Sequence, residues 1–291
     1  MGPQARLVRP LQVAGSDKLW VAEHLDWKRR LILKFISPGN VPPLPEALER
    51  AAERAARSRL LTSPHVVHAL ASGVAGDGSI YIMMEKVSGL GLDRKIAQEG
   101  PLLPHQVQQV VQQVAEVLTQ AHAEGIIHRG LCTGNLLLAD SNQIDVRVLN
   151  LGLIEVSAVR GSDYSSPELH LGQSHDHRTD LWSLGVIAYE LLTGERPFDQ
   201  QSRLLLDWDF TPMSEWFEPL PELLDGWFDR ALARLPEDRH QSAERLADSF
   251  GRALASTRVA SPSPLGRSSR VSRHFVIDVG RVSGGEPAPE E

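Results

Sequence analysis

Two short runs carry the side chains that could do chemistry. Ile126-Ile127-His128-Arg129-Gly130-Leu131-Cys132-Thr133-Gly134-Asn135 gathers an imidazole, a guanidinium, a thiol and an amide, and Leu149-Asn150-Leu151-Gly152-Leu153 adds a second amide beside a glycine. His128 is a candidate general base, and Cys132 is a candidate reactive thiol if its surroundings favour the thiolate. The plainer readings are a packing imidazole and a small, half-buried side chain. Neither run contains a carboxylate, and Mg²⁺ prefers charged oxygen ligands to neutral amides. Lys34 closes the apolar run Leu31-Ile32-Leu33 and places a cation on a strand. His170, His175 and His177 around Asp176 bring metal-ligand types together, but their spacing matches no zinc pattern and reads as a polar loop.

Positioning these groups takes two kinds of element. Residues 7 to about 36 alternate apolar and polar side chains around runs such as Leu19-Trp20-Val21-Ala22, which suits antiparallel strands. After Pro42, Pro43 and Pro45, the stretch Glu46 to Leu61 has the Ala, Glu, Arg and Leu content of a strong helix. Two more strands are predicted at Val66 to Ser72 and Ser79 to Glu85. Beyond Leu103, Val107, Val110, Val111, Val114, Val117 and Leu118 recur at helical spacing, so Pro104 to Ala123 is predicted to be an amphipathic helix feeding His128. Thr179 to Thr193 is apolar nearly all round and reads as a buried helix, with further helices at about Glu222 to Leu235 and Ser242 to Ser256.

Composition narrows the function classes. The chain of 291 residues is long enough for one large domain or two packed lobes. Its 37 acidic and 30 basic side chains give a net charge of -7 without a long basic run, so neither nucleic acid nor insertion into a membrane is expected. A single cysteine excludes an internal disulfide framework. No apolar stretch reaches the roughly 20 residues that cross a bilayer. The start lacks the apolar core of a signal peptide, and Arg6 stands where myristoylation asks for Ser or Thr. A cytoplasmic protein is the expectation. After Thr257 the composition turns to Ser, Pro, Gly and Arg, so residues 257–291 are expected to be a disordered tail, with Phe275-Val276-Ile277-Asp278-Val279 as its one apolar stretch.

The two opening runs resemble the H-R-D-x-x-x-x-N and D-F-G segments of eukaryotic-like Ser/Thr protein kinases, with Gly130 and Asn150 in place of both aspartates. Further segments carry the same resemblance in the same order. Leu31-Ile32-Leu33-Lys34 is similar to V-A-I-K, Ser166-Pro167-Glu168 to A-P-E, Asp180-Leu181-Trp182-Ser183-Leu184-Gly185-Val186 to the central helix of the large lobe, and Pro236-Glu237-Asp238-Arg239 to the segment whose Arg pairs with that Glu. The resemblance implies an α+β, bilobal kinase-like fold over residues 7–256. A small antiparallel β-lobe with one main helix would occupy about 7–86, and a larger, mainly helical lobe about 87–256.

It also implies roles. Glu168 and Arg239 would form a buried ion pair, Asp180 would anchor the backbone around His128 and Arg129, and all five would be structural. Lys34 would be the surviving contact for the α- and β-phosphates, with Met84, Glu85 and Val87 at the hinge beside adenine and Asn135 as a remaining metal ligand. Metal would involve Asn135 and Asn150 only if nucleotide binds. Aligned to the glycine-rich loop, Gln12, Ala14 and Asp17 stand where glycines should be, with Gly15 as one possible survivor, and backbone without glycines cannot close on phosphates. The helical Glu that should pair with Lys34 is unassigned: Arg54 falls at its place, beside Glu53 and a turn after Glu49. Gly130, Cys132 and Asn150 are degenerate positions, so no catalytic residue is expected. Losing a general base alone costs about 10²–10⁴ in rate.

The resulting expectation is a pseudokinase acting through protein partners as a scaffold or allosteric regulator, with no required cofactor and with ATP and Mg doubtful ligands. The alternatives are an atypical nucleotide-dependent transferase or weak Ser/Thr kinase using the same cleft, and a non-catalytic ATP sensor.

Overall fold

Apolar residues at alternate positions build a five-stranded antiparallel sheet from β1 (Ala5–Leu11), β2 (Lys18–His24), β3 (Arg30–Ile36), β4 (Ala69–Val74) and β5 (Ile80–Glu85), in the order β1-β2-β3-β5-β4. The computed structural model describes residues 5–11, 18–36, 53, 56–76, 79–139, 143–152, 162–198, 208–216 and 222–256. The alternation of β3 sorts its side chains between two faces. Leu31 and Leu33 join a cluster with Ala22 and Met83 on one face, while Ile32 packs on the other with Val67, Ala69, Ile80, Ile82 and Met84. Lys34 is two residues on from Ile32, so it shares that second face, and it pairs with Leu19 and Ile82 in the register.

The strand predicted from Val66 to Ser72 begins later, at Ala69, because Val66 and its neighbours are held elsewhere. Val67 N–H donates to Val148 C=O at 3.0 Å and Val148 N–H donates to His65 C=O at 2.7 Å, so this segment splices the small sheet to the large lobe. Of the helix predicted over 46–61, only Glu53 and residues 56–58 are described as helical. Glu49 and Arg54, the loop positions 12–17 and the tail from 257 lie outside the described residues.

The large lobe opens with a second sheet, β6 (Leu90–Gly91), β7 (Leu136–Leu138) and β8 (Val146–Val148), in that order. Its helices are α1 (Leu92–Glu99), α2 (Pro104–Ala123), α3 (Pro167–His170), α4 (Arg178–Thr193), α5 (Met213–Trp216), α6 (Glu222–Ala231) and α7 (Ala243–Ala255). Pro104 starts α2 at a position where its missing N–H is harmless, and the Gln106 side chain accepts from Leu103 N–H at 3.0 Å. The predicted stripe Val107, Val110, Val111, Val114, Val117 and Leu118 is fully buried, each side chain worth about 1.5–3 kcal/mol of transfer free energy.

α4 is buried on every side, and a Cβ at Gly185 would come within 3.2 Å of Ala231 Cβ and Leu232 Cδ2. Glycine there lets α4 and the end of α6 approach. α6 stops at Ala231 instead of about 235. Leu235 is extended ahead of Pro236, which opens a 3₁₀ turn, and a residue before proline is driven out of helical conformation.

Candidate functional site

The residues of the two opening runs meet Lys34 in one chain of hydrogen bonds whose polarity is fixed from both ends. The Lys34 ammonium can only donate, and its Nζ lies 3.4 Å from Asn150 Oδ1. That assignment leaves Asn150 Nδ2 to donate to Asn135 Oδ1 at 2.7 Å, and Asn135 Nδ2 to donate to the Gly130 carbonyl at 2.7 Å. The carbonyl can only accept. A cation on β3 is thus linked through two amides to the backbone of residue 130. The bridge requires an amide at 150: a carboxylate has no N–H to give Asn135. Lys34 is only 7% exposed, so it is no solvated strand lysine.

The turn after Leu149 is shaped for this contact. Asn150 has φ +60, a left-handed conformation that Asn tolerates better than most residues, and the Leu149 carbonyl accepts from His128 Nε2 at 2.9 Å. His128 Nδ1 faces the Gly130 N–H at 3.4 Å, so both ring nitrogens are engaged. The ring is fully buried and burial holds its pKa below the usual value. His128 is a packing imidazole with no lone pair free for base catalysis.

Asp180, at the start of α4, holds the next residues. Its carboxylate accepts from His128 N–H at 2.8 Å, Arg129 N–H at 2.9 Å and His122 Nε2 at 2.9 Å. Burial alone would raise its pKa, but the His122 hydrogen bond and charge outweigh burial and keep the carboxyl below its usual range. Arg129 sits at φ +61, a backbone state costing a non-glycine residue about 1–3 kcal/mol. Asp180 clamps the two successive amides that lead into it, and the Arg129 Nε donates to His175 Nε2 at 3.0 Å.

The apolar wall beside Lys34 consists of Leu19, Ile32, Val87 and Leu149 packed on the cluster that contains Met84. Met84 is buried opposite Ile32 in the register, whereas Glu85 is exposed. Cys132 is half-buried, and burial pushes its thiol pKa up, which disfavours the thiolate that reactivity needs.

As a magnesium site the donor set does not fit. Asn135 and Asn150 offer neutral oxygens that already accept hydrogen bonds within the bridge. Mg²⁺ gives up water reluctantly and favours carboxylates.

Glu168 and Arg239 form a two-pronged ion pair, with Arg239 Nη1 to Glu168 Oε1 at 2.8 Å and Nη2 to Oε2 at 2.7 Å. Arg239 is fully buried, donates also to the Ala233 and Arg234 carbonyls, and lies 4.9 Å over the Trp182 ring. Burial would raise the Glu168 pKa, but the Arg239 hydrogen bonds and charge hold it below the usual range.

His170, His175 and His177 do not converge on one point. His175 meets Arg129, His177 Nε2 contacts the Gln241 carbonyl at 3.1 Å, and His170 packs edge-on to Trp208.

One cluster escaped sequence reasoning. Tyr164 OH donates to Glu190 Oε2 at 2.6 Å and sits 2.8 Å from Thr133 Oγ1, joining the turn after Cys132 to α4. Burial raises the pKa of Glu190, and burial followed by the Glu190 charge raises that of Tyr164. The available signal was an acid on the otherwise apolar helix Leu181 to Leu192.

Comparison with known proteins agrees with this geometry. The protein kinase domain family matches residues 30–241. The Ser/Thr kinase pkn3 of Myxococcus xanthus is 31% identical over 79% of this chain and 46% of its own length, and the Ser/Thr kinase PknB of Mycobacterium tuberculosis is 30% identical over 81% of this chain and 40% of its own. The chain therefore spans less than half the length of these relatives. The crystal structure of the Mycobacterium tuberculosis PknI kinase domain superposes with a TM-score of 0.71 at 28% identity, covering 86% of this chain and 95% of that one. By family match, sequence identity and shared architecture, the chain belongs to the protein kinase domain family of the Ser/Thr kinase superfamily.

Proposed function

We propose that this chain is a kinase-fold protein that does not carry out conventional phosphoryl transfer and acts through protein contacts as a scaffold or allosteric regulator. The bridge from Lys34 through Asn150 and Asn135 to the Gly130 carbonyl carries this reading. In an active kinase one aspartate orients the substrate hydroxyl and another holds Mg²⁺ against the phosphates. Here a glycine and an amide stand at those places, and the amide ties up the lysine that would meet the phosphates. No cofactor is required for such a role. None of the described helices is long and apolar enough to cross a membrane, and a cytoplasmic setting belongs to the same proposal.

A second reading is favoured by the relatives, which are named as Ser/Thr kinases: a weak Ser/Thr kinase, or another nucleotide-dependent transferase, that opens the bridge when ATP enters. Incubating the purified chain with labelled ATP and Mg²⁺ or Mn²⁺, then searching by mass spectrometry for any ATP-derived adduct, separates the two. The first reading expects no incorporation above background. Turnover abolished by Lys34→Ala would establish the second. A non-catalytic ATP sensor would give a thermal shift with ATP and no product, since binding to the folded state must stabilise it.

A further inference from the structure

Away from the cleft, α6, α7 and the segment before α7 line an open surface pocket of about 370 Å³ with Arg230, His240, Gln241, Arg245, Asp248, Ser249 and Arg252. The spacing of α7 creates its floor, because Arg245, Asp248, Ser249 and Arg252 recur every three or four residues and so share one helical face. Arg230 comes from the last turn of α6. Three guanidinium groups against one carboxylate leave the pocket positive, and none of the three forms an ion pair among the described residues.

Behind them lies His240, only 4% exposed, with its Nε2 buried and without a hydrogen-bond partner. Its other nitrogen, Nδ1, is 3.5 Å from Ser249 Oγ. That hydroxyl gives its proton to the Leu246 carbonyl at 2.9 Å and accepts from Trp227 Nε1 at 3.0 Å, which leaves Nδ1 to donate to it. The neutral ring then keeps an unpartnered lone pair on buried Nε2, in a residue that lines a pocket of cations. An orphaned buried polar atom costs about 1–3 kcal/mol. Guanidinium forks match the oxygens of tetrahedral oxyanions.

We infer that this pocket is a binding site for a phosphate-class oxyanion, held by Arg230, Arg245 and Arg252, with the His240 ring behind them as a group that gains a proton when the anion binds. The charge of the bound anion favours uptake of a proton from solvent at Nε2, which turns the buried ring from a neutral imidazole among cations into an imidazolium beside an anion. Without the anion the ring stays neutral: burial first, then the charges of Arg230 and Arg252, lower its pKa to about 4. The Trp227 ring and the Arg230 charge from α6 and Ser249 and the Arg252 charge from α7 act on His240, and Arg245 and Asp248 of α7 line the same pocket. Asp248 opposes the anion and sets the site's preference against higher charge.

The test is calorimetric titration of the full chain with pyrophosphate, inorganic phosphate and sulfate at constant ionic strength. Saturable binding is expected for these oxyanions and not for chloride. The double variant Arg245→Ala/Arg252→Ala, both exposed positions, should weaken it by at least about tenfold with the melting temperature retained. Lys34→Ala should leave it unchanged, which separates this site from the cleft. Sulfate keeps its charge across the range, so its affinity should rise by about tenfold from about pH 7.5 to about pH 5 as His240 takes up its proton, and His240→Gln should remove that rise. If His240→Gln does not fold, the His240 ring resonances followed by NMR should show its pKa rising when sulfate binds, and a pKa that does not move overturns the role given to the ring. Absence of saturable binding, or binding that survives the arginine substitutions, overturns the assignment.

Discussion

The base of the large lobe and the mouth of the cleft treat charge differently. At the base, Glu168 and Arg239 are buried as a complete ion pair, and Asp180 meets three donors with a full carboxylate. In the cleft, the positions that would present carboxylates to a ligand are Gly130 and Asn150, and the nearby cation Lys34 is linked to an amide. The first group of charges is compensated by the protein itself, so removing one partner strands the other in a dry interior. The second group would be compensated only by nucleotide and metal. If, as proposed, that ligand is not used, neutral groups that satisfy one another cost the fold less than carboxylates crowded together without a counter-ion. The contrast separates residues kept for folding from residues kept for chemistry, which a motif alignment alone does not.

Substitutions should divide along the same line. Arg239→Met leaves Glu168 buried and unpaired and is expected to cost about 3–5 kcal/mol in chemical denaturation; a loss under about 1 kcal/mol would erase the distinction. Asp180→Asn removes the charge that accepts from His128, Arg129 and His122, and should cost about 2–3 kcal/mol by the same measurement.

Acid titration probes both carboxylates together. Because Glu168 and Asp180 have lowered pKa values in the fold, their contribution is complete above about pH 5, beyond the ordinary carboxylate pKa, and disappears as pH falls further. The urea midpoint should drop steeply there, and less steeply in Asp180→Asn. The smallest effect belongs to the cleft. Asn150→Asp trades the hydrogen bond to Asn135 for a charge beside Lys34 and should change stability by no more than about 1 kcal/mol.

Much of this was legible in the sequence because it rests on local rules. The valine stripe of α2 and the apolar run of α4 dictated buried helices, and the order of short motifs indicated a kinase fold before any coordinates. The details that escaped depend on contacts distant in sequence. Val66 left its predicted strand because Val148 offered its backbone groups, and α6 ended early because Pro236 follows an extended Leu235.

In the site, the loss of two acids could be read directly, but not what Asn150 does instead. That depends on a bond from Lys34 across the lobes, which has no trace in spacing. The Tyr164–Glu190 contact and the pocket around His240 were invisible for the same reason, being made of ordinary residues that only the packing of α4, α6 and α7 brings together.

The claim that an amide bridge has replaced the metal site is tested most directly by electron paramagnetic resonance titration of Mn²⁺ with a non-hydrolysable ATP analogue, comparing the natural chain with Asn150→Asp. A bound Mn²⁺–nucleotide signal is expected in Asn150→Asp and not in the natural chain. A tight signal in the natural chain that Lys34→Ala abolishes would contradict the account.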